Sequence, residues 1–226
     1  MEAVSNGIVA LGRTMTPIPE VSVIVPCRNE VKYIAACLDS VLANDYPKER
    51  LEVLVVDGMS EDGTRAVVER YARTCPFIRL VDNPRRVTPA ALNLGIASAR
   101  GSAIMIMGAH AAYPSGYISE LVTWLRHSGA DAVGGRCVTR PGRESVTGRA
   151  IAAAVSHPFG IGNSHFRTGA AEPRWVDTVP FGCYRRDVFE RVGVFDEELV
   201  RNQDDEFNHR ILRQGEIGRA SCRERV

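Results

Sequence analysis

Lysine is nearly absent: Lys32 and Lys48 stand alone among 28 basic residues, and arginine supplies the rest. The skew reads as coding bias more readily than as phosphate recognition, since it extends over the whole chain. Charge of one sign is also missing. Against 27 acidic residues the formal net charge is +1, so no basic field invites nucleic acid or an anionic membrane. No window offers the ~18 apolar residues a bilayer span requires. Residues 1–20 lack a basic start followed by an apolar run, so a secretory leader is not expected. The six cysteines, at positions 27, 37, 75, 137, 183 and 222, include no C-x-x-C pair. The chain is also too long to need a disulfide scaffold, and the expectation is reduced thiols in a cytosolic setting.

What is present is a chain of 226 residues, 45% apolar and 24% charged, long enough to bury one continuous core. Apolar runs and amphipathic stretches alternate from Val21 onward, the pattern of βαβ units around a mostly parallel sheet. Strands are expected at Val21–Val25, Leu51–Val56, Phe77–Val81 and Ala103–Met107, with two more near Ala130–Val138 and Val176–Tyr184. Between them, Ile34, Cys37, Leu38, Val41 and Leu42 recur at helical spacing. Further helices are expected after Thr64, from Thr88 (N-cap) and Pro89 (first helical position), and from about Pro114 to His127. The Gly/Arg/Ser-rich stretch from Thr139 to about Arg174 reads as one long connection.

The organisation is therefore an N-terminal tail at 1–20, one α/β domain at 21–215, and a tail at 216–226. That last segment, from Glu216 to Val226, loses the apolar periodicity and back-translates to a common short-read sequencing adapter. A non-native tail on a chain cut near Gly215 is the expectation.

The end of the first strand reads Pro26, Cys27, Arg28, Asn29, Glu30, where a dinucleotide-binding fold would carry G-x-G-x-x-G. Hydride transfer is thereby disfavoured. Asp57 follows the second strand, at the carboxyl edge where open α/β sheets bind ligands, and could accept hydrogen bonds from a base or ribose. Taken alone, Asp57-Gly58 is also an ordinary turn pair. Asp204, Asp205 and Glu206 form an acidic cluster that would equally suit the first turn of a helix capped by Asn202, with Glu206 and Arg210 as an i,i+4 pair.

Longer segments carry more weight. VSVIVPCRNE (21–30), VVDGMSEDGT (55–64), ALNLGIASARG (91–101), GCYRRDVF (182–189), GVFDE (193–197) and QDDEFNHR (203–210) together resemble glycosyltransferase family 2 in content and order. PFGIGNS (158–164), VDT (176–178) and NQDDE (202–206) are similar to the family's succinoglycan-biosynthesis branch. The resemblance covers about 21–215. It implies a GT-A fold, Rossmann-like, in which a nucleoside diphosphate sugar, often the UDP form, loses its sugar to a hydroxyl with inversion at the anomeric carbon.

The resemblance also implies roles. Asp57 would meet the nucleoside, with Pro26, Cys27, Arg28, Asn29 and Glu30 lining the same pocket, and Asn93 would lie near the donor. Asp204 and Asp205 fall at the family's catalytic acid pair, with Gln203 in place of a Glu and Asp204 as the base. The family's Asp-x-Asp, which holds a divalent cation on the diphosphate, is replaced here by Gly108-Ala109-His110. Loss of both carboxylates disfavours Mg²⁺, whereas an imidazole still suits Mn²⁺, so metal dependence stays open. Arg85, Arg86 and Arg185 are the alternative positive groups for the leaving diphosphate. The acceptor would be a glycan or lipid-linked saccharide in exopolysaccharide or surface-glycan synthesis. The enzyme would be cytoplasmic, reaching the inner membrane face through residues beyond this sequence. Two rivals remain at this point: a sugar-1-phosphate nucleotidyltransferase, whose glycine-rich basic loop is lacking, and a non-catalytic nucleotide-sugar-binding protein.

Overall fold

Valine, isoleucine and leucine fill consecutive positions of the first two strands because both faces of the sheet are covered. β1 (Val21–Cys27) and β2 (Leu51–Asp57) lie side by side in parallel and are buried almost throughout. In the computed structural model, which describes residues 20–141, 145–157, 174–213 and 220–223, β3 (Ile78–Asp82) extends the sheet beyond β2, and β4 (Ala103–Ile106) flanks β1 on the other side. The rest of the sheet comprises β5 (Ala132–Gly135), β6 (Arg174–Val176), β7 (Cys183–Arg185) and β8 (Ala220–Arg223). The order is β3-β2-β1-β4-β7-β5-β8-β6, with β7 and β6 antiparallel to the other strands. Strand order reverses between β1 and β4, which makes the carboxyl ends of those two strands the topological switch point.

Helices cover both faces. On one side α1 (Ile34–Leu42), α2 (Thr64–Thr74) and α4 (Tyr117–His127) bury Leu38, Val68 and Leu121 against Val23, Val53 and Met105. On the other side α3 (Thr88–Ser98), α6 (Arg186–Val192) and α7 (Gln203–Arg213) pack on Ile24, Leu54 and Ile104. Phe207 of α7 stacks on Phe189 of α6, with ring centroids 5.2 Å apart, and meets Phe195 at 4.6 Å. This aromatic knot fixes the start of α7, where Asp204 and Asp205 stand.

Several elements differ from the sequence expectation. α3 begins at Thr88 with Val87 in the N-cap position, and no side chain caps it. Pro89 still sits in the first turn, where its missing N–H costs no hydrogen bond. The expected long connection contains α5 (Val146–Ala154), opened by Ser145, whose Oγ accepts from Gly148 N at 3.0 Å. The strand expected near Ala130–Val138 is confined to Ala132–Gly135, and the one near Val176–Tyr184 divides into β6 and β7 around Pro180. A strand not expected from the sequence, Ala220–Arg223, pairs with β5 and β6. The 158–164 motif and residues 1–19 lie outside the described residues.

At the amino edge of the strands, away from the switch point, Glu52 is 1% exposed. It accepts from Ser22 Oγ at 2.5 Å and from Arg100 N and Nε at 2.5 and 3.0 Å. Burial works against its ionisation, but these donors hold the carboxyl below its usual range.

Candidate functional site

The site grows out of two loops laced together at the switch point. After β1, Asn29 N donates to Ser60 Oγ at 2.8 Å, and Asn29 Oδ1 accepts from Glu61 N at 3.0 Å. Glu30 N donates to Thr64 Oγ1 at 2.8 Å and Val31 N to Asp62 Oδ2 at 3.0 Å. These four bonds join the β1–α1 and β2–α2 loops into one wall. Gly58 permits the close approach: a Cβ there would stand 3.2 Å from the Cβ and Cδ of Arg28.

Asp57, at the end of β2, has no exposed side-chain surface. Its Oδ1 accepts from Ser60 Oγ at 2.5 Å and from the Cys27 thiol at 3.6 Å, and its Oδ2 accepts from Ser60 N and Arg65 Nη1, each at 2.9 Å. Burial opposes ionisation, yet the Ser60 bonds and the Arg65 guanidinium keep the carboxyl below its ordinary value. Arg65 also reaches Asp82 Oδ1 at 2.8 Å, so it clamps the adjoining ends of β2 and β3. Burial and the neighbouring Asp57 charge push the Cys27 thiol far up, which keeps it protonated.

Beyond β4, His110 is exposed, with Nδ1 3.4 Å from Glu30 Oε1. Gly108 is fixed by Tyr113, whose hydroxyl accepts from Gly108 N at 2.7 Å. The loop that enters antiparallel β7 lies over the same edge: Ile106 N donates to Gly182 O at 2.9 Å, and a Cβ on Gly108 would stand 3.4 Å from Phe181. Val179 in this loop accepts from the Tyr184 hydroxyl at 3.0 Å and from Asn208 Nδ2 of α7 at 3.4 Å. One turn before Asn208, Asp204 is half-buried while Asp205 is exposed. Burial first, and then the adjacent Asp205 charge, raise the Asp204 carboxyl above its ordinary value.

Asn93 is committed to the chain itself. Its Nδ2 donates to Phe195 O and Glu197 Oε1, each at 2.9 Å, and its Oδ1 accepts from Phe195 N at 3.0 Å. Glu197 also pairs with Arg85. Of the other arginines considered for the leaving group, Arg185 pairs in register with Ala103, the first residue of β4, and so lies at the opposite edge of the sheet. It is bound to Asp187 at 3.1 Å. Glu206 and Arg210 form the expected i,i+4 pair, at 2.5 Å. Arg210 further donates to Val192 O and Val194 O, which ties α7 to the end of α6.

Backbone strain gathers at this edge. The non-glycine residues with positive φ among the described residues are Asn29, Met59, Arg86, Phe181 and Asn202. The first three follow β1, β2 and β3, Phe181 precedes β7, and Asn202 precedes α7. Such backbone costs of the order of 1–3 kcal/mol per residue and concentrates where ligands are held. The sequence reading named Asn29 but not Arg65, Ser60 or Asp82. Arg65 gave no signal because it reads as one more exposed arginine on an amphipathic helix.

No group of three or more His, Cys, Asp or Glu side chains gathers for a metal among the described residues. Nor is any helix there long and apolar enough to cross a membrane.

Comparison with known proteins accords with this geometry. The family model for glycosyl transferase family 2 matches residues 22–193. The succinoglycan biosynthesis protein ExoA of Rhizobium meliloti is 33% identical over 195 residues, covering 85% of this chain and 58% of its own length. A dolichyl N-acetyl-α-D-glucosaminyl phosphate diacetamido-dideoxy-glucuronosyltransferase of Methanococcus voltae is 30% identical over 203 residues, covering 86% and 62%. The chain thus spans about three-fifths of these relatives. Among solved structures, the mannosyltransferase PcManGT of Pyrobaculum calidifontis, in complex with GDP-Man and Mn²⁺, is 31% identical with a TM-score of 0.64, over 91% of this chain and 55% of that one. TarS of S. aureus in complex with UDP, 22% identical with a TM-score of 0.69 over 90% of this chain and 57% of that one, shares the fold. By its sequence and its mostly parallel GT-A sheet, the chain belongs to glycosyl transferase family 2.

Proposed function

We propose that the protein is an inverting glycosyltransferase that moves a sugar from a nucleoside diphosphate sugar, the UDP form, to a hydroxyl of a glycan or lipid-linked saccharide. The observation that carries this reading is the half-buried Asp204 carboxyl, raised in basicity in the first turn of α7, a helix held by Phe207 on Phe195 and by Asn208 on Val179 O in the loop before β7. In the single displacement it supports, the acceptor oxygen attacks the anomeric carbon while Asp204 takes the acceptor proton. The bond from that carbon to the β-phosphate oxygen breaks, and its electron pair leaves with the nucleoside diphosphate. Asp205, exposed beside it, raises the basicity of Asp204 and is the second acid of the pair. A double displacement through Cys27 is disfavoured, because that thiol is buried and protonated.

The donor class is supported by the GDP-Man held in the 31%-identical mannosyltransferase and by UDP and UDP-GlcNAc in the TarS structures. Pro26 to Glu30 and the Asp57 turn form the wall against which a nucleoside would lie. Asp57 serves there by shaping the Ser60 turn, since its own oxygens are already engaged. Asn93 holds the Glu197 loop that borders this edge. His110 and Glu30 bring one imidazole and one carboxylate together, too few for a protein-enclosed ion but suited to a transition metal shared with diphosphate oxygens. Such an ion would supply positive charge to the leaving group. The acceptor class is supported by a succinoglycan biosynthesis protein and a transferase acting on a dolichyl-phosphate sugar among the relatives. Calorimetry with UDP and GDP tests the donor reading: micromolar binding of either supports it, and no binding of both rejects it.

A further inference from the structure

We infer that the ring of Phe181 is the platform against which the acceptor sugar rests, on the loop tied to Asp204. The inference rests on the transferase reading above and names what the acceptor must present there: a pyranose ring with a face of C–H bonds.

Phe181 carries an aromatic side chain where neither the backbone nor the core calls for one. Its φ of 51° lies in the left-handed region, which a bulky residue seldom adopts. It is 41% exposed, so burial of the ring does little to offset that strain. A glycine would take the same turn freely.

The surroundings impose the conformation. Val179 is buried in room left by two glycines: a Cβ would stand 2.4 Å from its Cγ1 on Gly134 and 2.8 Å from it on Gly182. Val179 O accepts from the Tyr184 hydroxyl at 3.0 Å and from Asn208 Nδ2 at 3.4 Å. On the other side of the turn, Gly182 O accepts from Ile106 N at 2.9 Å. Phe181 is thus pinned from both sides, on a fixed loop.

Two contacts define where the ring stands. Its tip lies over the turn after β4, with Cε1 and Cζ 3.4 and 3.6 Å from a Cβ placed on Gly108, two residues before His110. Toward α7, Asn208 Nδ2 donates to Asp204 O at 2.7 Å as well as to Val179 O. One amide nitrogen therefore ties the loop of Phe181 to the residue proposed as the base. The nucleoside wall stands on β1 and β2, whereas Phe181 belongs to β4 and β7, on the sugar side of the switch point. The C–H face of a pyranose is slightly positive and apolar, and the face of an aromatic ring is negative. Stacking there would fix the acceptor ring and leave its hydroxyl free to turn toward Asp204.

Saturation-transfer NMR, with the protein's aromatic protons irradiated, tests this using methyl glycosides of glucose, galactose, mannose and N-acetylglucosamine in the presence of UDP. Wild type should transfer saturation to the C–H protons of at least one glycoside. Phe181→Gly should bind that glycoside about three- to tenfold more weakly, Phe181→Leu should recover little, and Phe181→Tyr should retain it. UDP affinity should be unchanged, and Phe181→Gly should melt at the wild-type temperature or above because its backbone is relieved. No glycoside signal in wild type, or an equal signal in Phe181→Gly, overturns the inference. So does a lower melting temperature with the glycoside signal kept, which would make the ring structural. A loss in Phe181→Gly confined to UDP-glucose, UDP-galactose, UDP-GlcNAc or GDP-mannose, with UDP, GDP and the glycosides unaffected, would give the ring to the donor sugar and overturn it as well. If wild type bound neither UDP nor GDP, the donor reading would fall, while a glycoside contact abolished in Phe181→Gly would still support the platform.

Discussion

Arg65 donates to the buried Asp57 carboxylate at 2.9 Å, across the gap between the first turn of α2 and the end of β2. Asp57→Ala would leave that guanidinium and the Ser60 N–H without their acceptor, a loss of about 1–3 kcal/mol of stability. The turn they shape should loosen with it, so nucleoside diphosphate affinity should fall in the same variant. Chemical denaturation and UDP calorimetry check both.

The pH dependence of that pair has a definite sign. The folded Asp57 carboxyl ionises below its ordinary value, so its contribution is fully present above the ordinary carboxylate range and is lost as pH falls through the lower folded value. The stability gap between wild type and Asp57→Asn should therefore be constant near neutrality and close in acid. A gap that widens in acid would contradict the ion pair.

Asn93 satisfies its whole amide with Phe195 and Glu197, which places its worth in the fold of the Gly193–Glu197 loop. Asn93→Ala should cost about 1–2 kcal/mol of stability and change UDP affinity little. Reduced UDP affinity at unchanged stability would instead assign Asn93 to the donor.

His110 stands 3.4 Å from Glu30, beyond the end of β4. Mn²⁺ should tighten UDP binding in the parent chain, Mg²⁺ should do so less, and His110→Ala should lose most of the Mn²⁺ effect. Equal Mn²⁺ responses in both proteins would make His110 structural.

Much of the architecture is legible in the sequence because parallel strands buried on both faces print as unbroken apolar runs, as VSVIV and LEVLVV do. The positions of Asp57 and His110 follow from where such runs stop. The short strands at the far side of the sheet carry little signal: Cys183–Arg185 has three residues and takes its place from antiparallel pairing with β4 and β5. α5 was hidden by Gly148 and the surrounding arginines, although Ser145 followed by VTGRAIAAA contains a cap and a helix. Side-chain partners are less legible still. Glu52 reads as an interruption of a buried strand, and only the fold brings Ser22, Arg79 and Arg100 to it. Asn93 and Glu197 belong to separate motifs and meet across 104 residues. The role of Arg65 depends on the register that sets Asp57 beside Asp82.

Asp204 bears the central claim, and its environment separates two roles. Because burial and Asp205 raise its carboxyl, the ionised form is disfavoured in the fold, a cost that grows as pH rises from the ordinary value through the raised one. Asp204→Asn should consequently melt at the same temperature as wild type or higher at neutral pH, while a cap or ion-pair role would lower it.

The decisive measurement is release of nucleoside diphosphate from UDP-sugars and GDP-mannose in the presence of saccharide acceptors, by wild type, Asp204→Asn and Asp205→Asn. Wild type should turn over at least one donor, and Asp204→Asn should be slower by about 10²–10⁴-fold with UDP affinity kept. Asp205→Asn should lose far less. Near-normal turnover by Asp204→Asn, or a large loss confined to Asp205→Asn, would contradict Asp204 as the base.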